Sequence, residues 1–184
     1  VRDYGASHPK SRYAAMHWGG ALHAMGDLTR AAELLRDTHS AQVASHSVDH
    51  PDALETAWRL GSVLADSHLD HPKAKNCTEA VELLRATARH QARLLGEHHP
   101  RTLRTRVSLA QALLAMGGGK GHDEGPVAVE ASGILATCER QQLTVLGEAH
   151  PEYKRTQRLA AAHPAGRGTR DLQLVDLSSE SEIR

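Results

Sequence analysis

The chain has little of what marks a secreted, membrane-spanning or nucleic-acid-binding protein. Its 184 residues hold two cysteines, Cys77 and Cys138. So few make no disulfide framework, and they suit a reducing compartment. Acidic and basic residues balance at 22 each. The balance holds locally, with 4 of each over 8–49, 7 acidic and 6 basic over 50–98, and 5 of each over 99–149. Affinity for nucleic acid comes largely from clustered Lys and Arg neutralising phosphates, so nucleic acid is excluded as a partner. No apolar run approaches the roughly 18 residues of a membrane span, and no charged and apolar leader with a small-residue cleavage site opens the chain. These absences predict a cytoplasmic protein with no membrane partner. The missing Met at Val1 leaves room for upstream sequence with signals of its own.

Catalytic signatures are missing too. There is no Gly-rich phosphate loop behind a strand, no nucleophile elbow and no His-Glu-x-x-His helix. The sequence is therefore read as non-enzymatic, with no cofactor and no small-molecule substrate. The run from Gly117 to Gly121 lacks the Lys-Ser/Thr ending of a phosphate loop and reads as a flexible linker. Fourteen histidines raise the question of metal. His68, His71 and Cys77 share one segment, His98 and His99 lie near the next turn, and His122, Asp123 and Glu124 share another; imidazole and thiolate are good zinc ligands. The spacings match no closed four-ligand pattern, so no metal site is assigned. Six of the histidines (His8, His50, His71, His99, His150, His163) precede proline, where a helix cap accounts for them.

What the sequence does have is a period. His-Pro recurs at His8-Pro9, His50-Pro51, His99-Pro100 and His150-Pro151, at intervals of 42, 49 and 51 residues. The longer intervals approach the first if 67–77 and 117–125, rich in Gly and His, are insertions. Proline has no N–H and a preset φ, so it suits the first helical position and pushes the residue before it into the extended conformation of a cap. Behind each His-Pro the apolar residues fall at helical spacing: Leu54, Ala57, Leu60 and Leu64 in one unit, Leu103, Val107, Ala110 and Leu113 in the next. Second helices are expected to begin near Leu28, Thr78 and Pro126, with Asn76 and Glu79 as a capping box for the middle one. The units superimpose. Gly19, Gly61 and Ala110 align one position after Trp18, Leu60 and Leu109, and Ala31, Ala80 and Ala131 each precede a leucine by four. A small residue in that place lets the paired helix approach closely, while the large neighbours fill the gap, so Trp18 is expected in the core. A period of this size means units too small to bury their own apolar faces, stacked in a row. The fold class is all-α, about seven helices. Units span 8–49, 50–98 and 99–149, with a terminal capping helix at 150–163; the turn-rich, serine-rich stretch 164–184 is expected to be a disordered tail.

The segments LLGEHHPRTLRTRVSLAQALLAMG (94–117), VLGEAHPEYKRTQRLAAA (145–162) and AMGDLTRAAELL (24–35) resemble tetratricopeptide repeats (TPR) of the long, kinesin-light-chain type, over about residues 8–163. The resemblance implies a right-handed α-solenoid of antiparallel helix pairs, a TPR-like superhelix. Its first helices would line a concave groove that takes extended or helical peptides. Mapped onto groove-facing positions are Tyr13, Met16, Gly20 and His23 in the first unit, Glu55, Trp58, Ser62 and Ala65 in the second, and Arg104, Val107, Gln111 and Leu114 in the third. Trp58 stands out as an anchor, since aromatic hot spots carry much of an interface's energy; packing between neighbouring units is its bland alternative. One departure from the family's pattern is visible. An asparagine usually precedes the large seam residue and grips peptide backbone, whereas here His17, Arg59 and Ser108 stand there. Arg59, Arg104 and Arg106 would instead favour an acidic partner, unless they form a solvated face.

The function expected is a protein-interaction scaffold or adaptor that binds a peptide or protein segment in this groove, with self-association left open. The alternative is a regulatory or sensor segment of a larger multidomain protein whose ATPase, kinase or protease part lies upstream of Val1.

Overall fold

The computed structural model describes residues 5, 8–70, 74–117 and 125–163, with backbone alone at 68–70 and 74–75. Among these residues there are seven helices and no strand: α1 (Pro9–Ala24), α2 (Leu28–Ser45), α3 (Pro51–Asp70), α4 (Ala74–Leu95), α5 (Pro100–Met116), α6 (Pro126–Leu146) and α7 (Pro151–Ala162). The insertion proposed at 117–125 and the tail at 164–184 lie, apart from Gly117 and Gly125, outside the described residues.

Each His-Pro opens a first helix in the same way. Proline takes the first turn, and the Nδ1 of the preceding histidine accepts the backbone N–H two residues on: Lys10 at 3.1 Å, and Asp52, Arg101 and Glu152 each at 3.2 Å. The imidazole thus does what Ser or Asp does at other N-caps, in the tautomer that keeps its proton on Nε2. Two of the three second helices end on glycine in the left-handed region, Gly96 with φ 100° and Gly147 with φ 82°, which no β-carbon could occupy without strain. The third ends on His46 at φ −126°.

Consecutive helices pack on one another along the chain, and α3 also touches α1 and α5. The odd-numbered helices therefore lie side by side, with the even-numbered ones in a second layer. The seam between the layers is built from leucines of the second layer, Leu35, Leu84 and Leu135, all fully buried. Leu35 and Leu84 press into glycines. A β-carbon on Gly19 would lie 2.6 Å from the Leu35 side chain, and one on Gly61 would lie 2.5 Å from Leu84 Cγ. The aligned small position is what sets the helix separation.

Two sequence expectations are corrected. The second helix of the middle unit starts at Ala74 and not near Thr78. Because α4 starts four residues ahead of Thr78, Asn76 sits inside it, and its Nδ2 donates to Ser67 Oγ at 3.3 Å, tying the two helices together instead of closing a capping box. Trp18 is 54 % exposed, whereas its counterparts Leu60 and Leu109 are 2 % and 5 % exposed. The cause is position: among the described residues no helix pair lies before α1, so the side that α3 and α5 bury is open.

Candidate binding groove

One cleft of about 170 Å³ opens where the first helices meet, lined from α1 by Gly20 and His23, from α3 by Trp58, Arg59, Ser62 and Asp66, from α5 by Ser108 and Gln111, and from α7 by Arg155. Helical geometry explains the convergence. Gly20, Ser62 and Gln111 each stand twelve places after the His of their His-Pro, and the side-by-side first helices turn that place the same way.

The floor is a charged cluster around an indole. Trp58 donates its Nε1–H to Ser108 Oγ at 3.0 Å, and Ser62 Oγ lies 3.4 Å from the same oxygen. The Arg104 guanidinium stacks 3.6 Å from the ring centroid and that of Arg59 lies 5.5 Å away, both within cation–π range. Glu55, whose side chain is 13 % exposed, pairs with both, at 3.1 Å to Arg59 and 2.6 Å to Arg104. Two cations and one carboxylate leave a local surplus of positive charge. The Nε atoms of Arg59 and Arg104 are buried with no hydrogen-bond partner. Gly20 makes room for Arg59: a β-carbon there would meet Nη1 at 2.6 Å. The walls are tied across helices, by His23 Nε2 at 2.7 Å from Asp66 Oδ2 and by Arg155 Nη2 donating to Gln111 Oε1 at 3.0 Å.

The side-by-side helices, the leucine-into-glycine seam and the shared cleft are the features of stacked helical hairpins. No family model matches the sequence, and no curated protein matches it. A solved structure does: the nearly identical TPR-like repeats of a Podosopora anserina protein provisionally assigned as a kinesin light chain, with TM-score 0.63 and 26 % identity over 89 % of this chain and 68 % of that one. A single-substitution variant of that protein also gives 0.63 and 26 %, over 86 % and 67 %. The chain folds as a TPR-like repeat array and is similar to those of the kinesin-light-chain kind.

In this TPR-like array the residues named from sequence separate by burial. Glu55, Trp58, Ser62, Arg104, Gln111 and His23 gather at or beside the cleft, all partly exposed. Tyr13 is 52 % exposed and its ring lies tilted against His17, 4.4 Å between centroids. Met16 and Val107, 3 % and 5 % exposed, point into the core, as does Ala65, and Leu114 packs against the core from its edge. Met16 and Val107 present almost no surface to a ligand in this conformation, whereas Ala65 still forms part of the cleft wall and Leu114 stays partly exposed. The three arginines assigned to an acidic partner are already paired, Arg59 and Arg104 with Glu55 and Arg106 with Glu97. Arg155 and Asp66 were missed by the sequence reading. Arg155 occupies the place of Tyr13, Glu55 and Arg104, five residues after its His, and would have been found had the terminal helix been set in the same frame.

Among the described residues no three His, Cys, Asp or Glu side chains come together as a metal site; His71 and His122 are not among those residues. Both cysteines are free and buried. Burial pushes the Cys138 thiol up to about 11 against the opposing pull of Arg106, and it raises Cys77 as well. No described helix is long and apolar enough to cross a membrane.

Proposed function

We infer that the array is a protein-interaction scaffold that takes a peptide or protein segment along the concave side of its first helices, with no catalytic activity of its own. The observation that carries this reading is the cleft to which α1, α3, α5 and α7 all contribute polar side chains. A surface shared by three consecutive hairpins and the helix that follows them suits an elongated ligand better than a compact one. Its half-buried tryptophan and arginines are the residue types that dominate interface energetics. The two buried free thiols support a reducing compartment, and the cytoplasm is the setting we assign.

The test is affinity capture from a native lysate with three proteins: the parent, a Trp58→Ala and Gln111→Arg double variant, and a Thr144→Ala control on the exposed side of α6. The double variant is expected to keep its helical circular dichroism and lose the captured partner, while the control keeps it. Equal capture by the parent and the double variant would move the binding surface elsewhere.

A further inference from the structure

We propose that the outer face of α1 is a docking surface for one further amphipathic helix, of the kind that α4 represents, laid across Ala14, Trp18, Ala21 and Met25. This is a surface separate from the groove.

The molecule itself shows what covers such a face. Six, ten and thirteen residues after His50 and His99 stand Thr56, Leu60 and Val63 on α3 and Thr105, Leu109 and Ala112 on α5, all 5 % exposed or less. In each case the second helix of the preceding pair packs on that first helix. On α5 the contact is seen atom by atom, where Cys77 of α4 donates its Sγ–H to the Ala112 carbonyl at 3.3 Å. The same three places on α1 hold Ala14, Trp18 and Ala21, all exposed, with Met25 beyond them 65 % exposed. The local sequence agrees, since ALHAMG at 21–26 differs from ALLAMG at 112–117 at one residue. Nothing acidic lies between Pro9 and Ala24. A tryptophan between alanines, open to water along a helix with no acid on it, matches an interior repeat interface and not a solvated end.

The other end of the array provides the contrast. On α7 the places of Leu54 and Ala57, both buried in α3, hold Lys154 and Gln157, both exposed. Polar residues are how an array finishes. That end also argues against head-to-tail stacking of a second copy on this face. In each copy α2, α4 and α6 are packed between their own first helix and the next, leaving only the charged α7 side or another α1 to offer.

The experiment extends the full chain. Residues 50–98 are duplicated directly ahead of His8, so that a second copy of α4 precedes α1 through the native turn. Trp18 accessibility is then read by acrylamide quenching, as the difference between each protein and its Trp18→Phe counterpart. The expected result is a fall of about ten-fold, from the 54 % exposure of Trp18 to the 5 % of Leu109, as stacking of neighbouring repeats requires. Trp18 remaining as open to quencher as in the parent chain overturns the proposal. Sedimentation of the unextended chain provides the second reading. A monomer supports a separate helix as occupant; a dimer that Trp18→Asp dissociates assigns the face to a second copy and overturns it.

Discussion

At the scale of the residue, the deciding feature is how little room lies opposite Leu84. Gly61→Ala would gain up to about 1 kcal/mol of helix propensity. Its β-carbon would fall 2.5 Å from Leu84 Cγ, a branch point and not a flexible end, so the two helices must separate, and overpacking of this kind costs about 1–3 kcal/mol. The clash wins. Gly61→Leu is expected to destabilise by roughly 3 kcal/mol or more by the same mechanism, read as a lower urea midpoint with an unchanged slope; an unaltered midpoint would show that α3 and α4 do not meet there. This position was legible because the requirement for a small side chain is local to one helix crossing and recurs in every unit. A second register went unread. Gln42, Gln91 and Gln142, each eight residues before the next His-Pro, are all buried with an unpaired side-chain oxygen. A polar residue gives no apolar periodicity, so only burial reveals the row. Trp18 fails for the opposite reason: its pattern is that of a core residue, but burial depends on a neighbour that the pattern cannot supply.

Among the elements, the turns carry more than connection. The turn from α2 to α3 holds Asp49, whose carboxylate reaches forward to α4, 2.6 Å from His90 Nδ1 and 2.5 Å from Arg93 Nη2. Hydrogen bonds from Arg93 and His90 hold it below the usual carboxylate value of 3.8. A depressed acid stabilises the fold above its unfolded value, and that contribution disappears as the pH falls through the folded one. Asp49→Asn is therefore expected to lower the thermal midpoint at pH 7, with the gap to the parent closing below about pH 4. A gap that persists at pH 2 would show that the loss is of packing and not of charge. Element starts were legible at the four periodic His-Pro pairs, because proline constrains the backbone whatever surrounds it. The start of α4 was not. Asn76 and Glu79 satisfied a local rule, but the neighbouring α3 offered Ser67 as a partner, and tertiary contact moved the boundary.

For the whole molecule, stability is distributed along one dimension. Each hairpin is held by its neighbours, so the ends should open before the middle. The two thiols report this. Both are buried, with burial raising their thiol values, so a thiol reagent modifies them only through opening. Cys138 in α6, which has only α7 beyond it among the described residues, is expected to label faster than Cys77 in α4, which has helix pairs on both sides, with the modified peptide identified by mass spectrometry. Equal rates would indicate that the array opens as a single cooperative unit.

The amino-acid sequence by itself determined the number and phase of the helices, because proline, glycine and the 3.6-residue period act through the chain's own backbone. The tertiary structure alone decided which faces are covered. Met16 and Val107 went to the core, Arg104 was drawn onto Glu55 and the Trp58 ring, Arg155 joined the cleft and Trp18 was left in water. Each of these outcomes depends on contact with another helix or, for Trp18, on a helix pair absent among the described residues, and no local pattern encodes either.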